Sequence, residues 1–170
     1  MQWILVIDTS EQVRTRPTDY NEQKKFYSGK QKNHTLKNQF IVLPDGSDIV
    51  DVTIGKPGPS SDINLFRESQ VEFEASQKFK ADLGYIGENQ IETPHKKNKF
   101  QKLSIEQKQQ NKEISTQRII VEHIIRLLKI FRIAQERFRL KSKYYDQVIQ
   151  VVCGLVRLRI GALTLLQYAS

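Results

Sequence analysis

Residues 118–133, RIIVEHIIRLLKIFRI, restrict the fold more than any other stretch of the chain, because they can hardly be anything but an amphipathic helix. At about 100° per residue, Ile120, Val121, Ile124, Leu127, Leu128 and Phe131 share one stripe. Arg118, Glu122, Arg126 and Lys129 share the opposite one. Glu122 then has two readings. It is either a solvated residue paired at i,i+4 with Arg118 and Arg126, each pair worth about 0.2–0.5 kcal/mol, or one member of a site whose other carboxylates lie elsewhere in the chain.

Other carboxylates do fall at telling places. Trp3 to Ile7 is a continuous apolar run of strand formers, expected of a strand buried on both faces, and it ends on Asp8. Asp8 is read either as a turn or cap residue or as a ligand held on a rigid element. Residues 14–38 are polar and basic and read as a mobile loop. Phe40–Leu43 and Ile49–Ile54 flank Pro44-Asp45-Gly46-Ser47 as a hairpin. Lys56-Pro57-Gly58-Pro59 breaks the sheet, and Ser60 or Ser61 caps a short helix with Asp62 in its first turn, where the helix dipole favours an acid. Phe79-Lys80-Ala81 leads into Asp82, with Leu83–Gly87 a short strand closing in a glycine turn. Residues 88–112 read as an exposed Lys/Gln/Asn-rich excursion with a short strand at Ile91–Thr93, and Tyr144–Tyr168 as a last apolar helix interrupted by Gly154 and Gly161.

A chain of 170 residues is one ordinary domain. Its formal charge of +8 is uneven: residues 94–143 hold 14 Lys/Arg against 4 Asp/Glu, and the remainder is slightly acidic. Such a block suits a polyanion such as nucleic acid. The lone Cys153 excludes an internal disulfide or a cysteine zinc site and fits a reducing, cytoplasmic setting. No signal peptide opens the chain. Val148–Leu166 carries Arg157 and Arg159 near its middle, so it reads as a core or docking helix and no membrane is expected.

The order is strand with Asp8, hairpin, helix, strand with Asp82, excursion, and long helix with Glu122. That is the order of an α/β ribonuclease H-like fold, a central mixed sheet flanked by helices, with C-terminal helices added. In such a fold three distant carboxylates converge, and they could not all stay ionised without cations between them. Two divalent ions would neutralise them and clamp the attacking and leaving oxygens of a phosphodiester. His34 and His123 are read as loop and helix-surface residues, since hard oxygen donors suit magnesium better than imidazole.

The segments VIDTSE, YSGKQKNHTLKNQ, PGPSSDINLFRES, ADLGYIG, PHKK and RIIVEHIIRLLKIFRI span nearly the whole chain, and with them it resembles the catalytic domain of bacterial insertion-sequence transposases of the DDE superfamily, in the group related to Harbinger elements. The sharpest element is the family's R-x3-E-x6-K signature, matched by Arg118, Glu122 and Lys129. Two positions depart from the family: Ser115 replaces a tyrosine often found three positions before the signature arginine, and Thr9-Ser10 replaces a Gly-Thr. Relatives also carry an N-terminal helix-turn-helix region that recognises element ends, which is missing ahead of Met1.

The resemblance implies Asp8, Asp82 and Glu122 as catalytic residues and ligands of two Mg2+ or Mn2+ ions. Asp62 becomes a residue supporting that shell. Arg118, Arg126, Lys129, Lys96, Lys97 and Arg132 become contacts to double-stranded DNA, both element ends and target. The implied activity is cleavage at element ends and strand transfer by a nucleoid-associated enzyme, with residues 1–143 as the catalytic domain and 144–170 as a helix packed on it. The implied partner is a second copy or a protein carrying the recognition region. The alternative is a catalytically silent DNA-binding or interaction fragment.

Overall fold

The computed structural model describes residues 4–68, 73–97 and 102–162. Trp3, residues 98–101 of the expected excursion and the last residues of the expected C-terminal helix lie outside these.

The first strand, β1 (Ile4–Val13), does not stop at Asp8. Its apolar start is buried on both sides: Leu5 and Ile7 enter one core while Val6 enters another, the alternation a pleated strand imposes. Residues 14–38 are not a loop. They form α1 (Tyr20–Phe26), the two-residue β2 (Tyr27–Ser28) and the first half of β3 (Asn33–Val42). Asp19 caps α1 by accepting from Glu22 N at 2.9 Å. β3 returns through the Pro44–Ser47 turn, with Gly46 at φ +73°, into β4 (Ile49–Pro57).

The short helix after the proline break is α2 (Asp62–Glu68). β5 (Lys78–Lys80) follows and pairs in parallel with both β1 and β6 (Ile91–Glu92). The expected strand at 83–87 is instead a 3-10 turn over Leu83–Tyr85, because Asp82 caps it by accepting from Gly84 N at 2.8 Å.

Strands therefore run β4, β3, β1, β5, β6 across one mixed sheet, antiparallel on one side of β1 and parallel on the other, with β2 pairing the start of β3. This is the expected α/β arrangement and is consistent with a ribonuclease H-like fold. The β3–β4 ladder slips between Lys37 and Gln39 and again between Ile41 and Val42. At the first slip Asn38 Oδ1 accepts from Gly55 N at 3.0 Å, and Gly55 takes φ +72°.

The long helix α3 spans Ile105–Lys129 and so begins well inside the stretch read as an excursion. A capping box starts it: Ser104 Oγ accepts from Gln107 N, and Gln107 Oε1 accepts from Ser104 N. Val121, Ile124, Ile125 and Leu128 are buried and Ile120, Leu127 and Phe131 partly so, which places the apolar stripe on the sheet. A four-residue α4 (Arg132–Gln135) and α5 (Tyr145–Arg159) follow. Gly154 lies within α5 without interrupting it, whereas Gly161, at φ +84°, follows its end. Tyr145, Ile149, Val152, Cys153 and Val156 bring α5 into the same core as α3, and α2 contributes Phe66 to the core on the opposite face. Among the described residues no helix is long and apolar enough to cross a membrane.

Candidate active site

The site begins with strand parity. Even residues of β1 face α3 and odd ones face α2, so adjacent Asp8 and Thr9 reach opposite sides of the sheet. The parallel ladder with β5 ends at Val6 opposite Lys80, which leaves Asp8 just beyond the last pair, beside the segment that carries Asp82. Asp8 is thus mid-strand along its antiparallel edge, opposite Phe40, and at a ladder end along its parallel edge.

On the α3 side, Arg118 stands between two carboxylates. Its Nη2 is 3.7 Å from Asp8 Oδ2 and 3.7 Å from Glu122 Oε1. Glu122 pairs with Arg118 and not with Arg126, the other partner its spacing allowed. Both contacts are too long for hydrogen bonds, and Arg118 Nε is buried without a partner. Burial of Asp8 holds its carboxyl well above the ordinary range, at about 6; the Thr9 backbone N–H and Arg118 pull it down, while Asp82 and Glu122 add to the rise.

On the α2 side, Asp62 Oδ1 accepts from Thr9 Oγ1 and from Lys37 Nζ, each at 3.0 Å. Lys37, 8% exposed on β3, also donates to Ser60 O at 2.6 Å and lies 3.9 Å from Glu11. Asp62 and Asp82 meet across Gly84. A Cβ built on that glycine would lie 2.8 Å from Asp62 Oδ2 and 2.9 Å from Asp82 Oδ1, so only glycine fits between them. Beneath them Tyr85 is fully buried, its hydroxyl donating to Gln39 Oε1 at 3.2 Å. Burial and then the charges of Asp62, Asp8 and Asp82 push its phenol far up.

The arrangement brings Asp8, Asp62, Asp82 and Glu122 into one electrostatic neighbourhood, with Arg118 and Lys37 as close counter-charges among the described residues. Among the described residues no three of His, Cys, Asp or Glu stand close enough to hold an ion as they lie. The donor set is nevertheless all oxygen, its charge is under-compensated, and its most buried member resists ionisation. Those properties fit a hard divalent cation.

Of the expected DNA contacts, Arg126 and Arg132 are exposed, Arg132 paired with Glu136 at 2.7 Å; Lys129 is half-buried beside Ser10 and Gln12. Lys96 and Lys97 are exposed next to His95, whose backbone is pinned to Asn111 of α3. Sequence reasoning missed Lys37 and Gly84. Nothing local marks Lys37 among the cations of 14–38, since its partners Ser60 and Asp62 come from beyond β3.

Carboxylates gathered at one edge of a mixed sheet suit metal-dependent nuclease chemistry. Residues 7–157 match the family described as DDE superfamily endonuclease, and the chain belongs to it. It is 39% identical over 156 residues to a protein of Microchaete diplosiphon described as a probable transposase for insertion sequence element IS702; the match covers 89% of this chain and 55% of that protein. The chain thus spans about half the length of that relative. No solved structure gives a significant match.

Proposed function

We propose that the domain is the catalytic part of a DNA transposase, hydrolysing a phosphodiester at element ends and joining the freed 3′-hydroxyl to target DNA. The observation that carries this is the link Asp8–Arg118–Glu122, which ties the β1 carboxylate to the α3 carboxylate beside the segment bearing Asp82.

Asp8, Asp82 and Glu122 would hold Mg2+ or Mn2+, and when bound a pair of such ions supplies an activated water and stabilisation of the leaving oxygen. The chain's own residues prepare that chemistry. Arg118 orients Glu122 toward Asp8 and screens the two acids from each other. Asp82, fixed by the Gly84 N–H, keeps its second oxygen free. Asp62 differs from Asp82 in having its charge offset by Lys37 at 3.0 Å, and it supports the wall on which Asp82 stands. The basic residues of α3 and its flanks position the duplex through its phosphates.

The test is nicking of supercoiled plasmid carrying the element ends, supplied with any recognition region the reaction requires, in Mg2+ and in Mn2+. Glu122 is exposed on its helix face, so Glu122→Gln should fold with an unchanged melting temperature and lose divalent-dependent nicking. Nicking retained in that variant would exclude Glu122 from the chemistry.

A further inference from the structure

The stretch expected to be a basic loop builds a groove far from the carboxylates, and the chemistry above leaves it unused. Arg16, Tyr20, Gln23, Lys24, Tyr27 and His34 line an open depression of about 420 Å³, within the size range of small-ligand sites. Tyr20, Gln23, Lys24 and Tyr27 recur at i, i+3, i+4 and i+7, so α1 and the residue after it present them as one stripe. Phe26, on another face of α1, is buried beneath Arg14, whose guanidinium lies 4.4 Å from the ring centroid.

The groove is basic and aromatic without an acid of its own. Residues 14–38 hold seven Lys/Arg against Asp19 and Glu22. Asp19 is turned into the helix cap and Glu22 pairs with Lys25, a residue outside the groove. Arg16 is held in place by donating to Gln23 Oε1 at 2.8 Å. Tyr20 is 76% exposed and Tyr27 48%, and the Tyr27 ring is braced edge-on by His34 at 5.5 Å. Two neighbouring rings among cations give a flat anionic ligand a face to stack on.

We infer that this groove binds an unpaired DNA nucleotide, stacking its base on Tyr20 and Tyr27 and holding its phosphate with Arg16 and Lys24. Duplex DNA offers phosphates outward but no open base face, so an aromatic platform between cations fits a single strand. Position agrees with this. His34 accepts through its carbonyl from Arg14 N, six residues along β1 from Asp8. At about 3.3 Å per residue that is roughly 20 Å, or about six base steps along the axis of a duplex. A strand held at the carboxylates would therefore reach the groove with a nucleotide near the sixth, provided the duplex is open there. The inference rests on the DNA reading given above.

The test is fluorescence anisotropy of the whole chain with a labelled oligonucleotide of about 20 nucleotides, as a single strand and as a blunt duplex, in EDTA. Chelation keeps cleavage out of the measurement. Replacing Tyr20 and Tyr27 together by Ala should weaken the single strand about tenfold or more and the duplex less than about twofold, while replacing both by Phe should leave both unchanged. Tyr20→Ala alone, at the more exposed position, should show the same selectivity with an unaltered melting temperature. Equal losses on single strand and duplex, or no loss on either, would overturn the groove. So would a Phe pair as weak as the Ala pair. Wild-type protein that binds neither DNA would instead overturn the reading beneath it.

Discussion

The hydroxyl of Tyr145 on α5 donates to Gln12 Oε1 on β1 at 3.0 Å while accepting from Asn38 Nδ2 on β3 at 2.8 Å. Gln12 Nε2 donates onward to the carbonyls of Ile133 and Glu136, each at 2.7 Å, and Asn38 Oδ1 receives Gly55 N at the slip in the β3–β4 ladder. One phenol therefore closes a buried polar chain that fixes the helix, two central strands and the turn after α4. Burial raises its pKa, so the proton it donates is secure at every ordinary pH.

Tyr145→Phe should keep the ring's edge-on contact with Phe138 but strand Gln12 Oε1 and Asn38 Nδ2. Leaving two buried polar atoms unpaired costs about 2–3 kcal/mol in all, which for a chain of this size lowers the melting temperature by roughly 5–10 °C. Thermal denaturation followed by circular dichroism checks this. A shift under about 1 °C would show that water replaces the hydroxyl.

The two aspartates beside Gly84 should respond differently to substitution. Asp62→Asn leaves Lys37 buried with only distant Glu11 for a counter-charge, so it should destabilise the metal-free protein by about 2 kcal/mol or more. Asp82→Asn keeps the capping oxygen and should change stability little, yet abolish any rise in melting temperature on adding Mg2+ or Mn2+. A divalent-dependent rise that survives Asp82→Asn would remove Asp82 from the metal set.

Asp8 makes a prediction about pH. Its pKa rises from about 4 unfolded to about 6 folded, so between these values the folded state keeps a proton that the unfolded state releases. Asp8's contribution to stability is full below pH 4 and is lost as pH climbs through 6. Asp8→Asn removes the ionising group, so without divalent ions it should match the wild type near pH 4 and exceed it by about 1–3 kcal/mol above pH 6. Melting in EDTA across pH 4–7 reads the difference; a constant gap would mean Asp8 is not penalised by burial.

Gly84→Ala tests the contact between Asp62 and Asp82. Its methyl would meet both carboxylate oxygens well inside contact distance, forcing apart groups that hold each other's wall. The expected cost is about 1–3 kcal/mol, with loss of the divalent-induced stabilisation even at temperatures where the variant is folded. An Ala variant with wild-type stability and wild-type response would show that the 3-10 turn yields without moving either acid.

How much of this was legible depends on where the partners of a residue lie. The apolar run that opens β1, the hairpin turn and the α3 stripe announce themselves, since their own pattern carries the signal. The first half of β3 does not: Thr35, Lys37, Asn38 and Gln39 are all buried, yet each looks like a loop residue until Glu11, Asp62, Tyr145 and Tyr85 arrive from other elements. The start of α3 was readable and was missed, because Ser104 and Gln107 form a capping box in a stretch whose composition suggested an excursion. Asp8, Asp82, Glu122 and the signature Arg118 stand out in the chain, but that Arg118 also reaches Asp8 and that Gly84 lies between Asp62 and Asp82 emerge only through distances.

The two slips in the β3–β4 ladder bear on how this domain behaves in company. β4 ends at Lys56-Pro57 and is bent twice out of register, while the opposite edge, β6, is only two residues long. Neither rim is a good template for a foreign strand, one being kinked and charged and the other too brief. Copies brought close together can therefore crowd without zipping these two rims into one sheet.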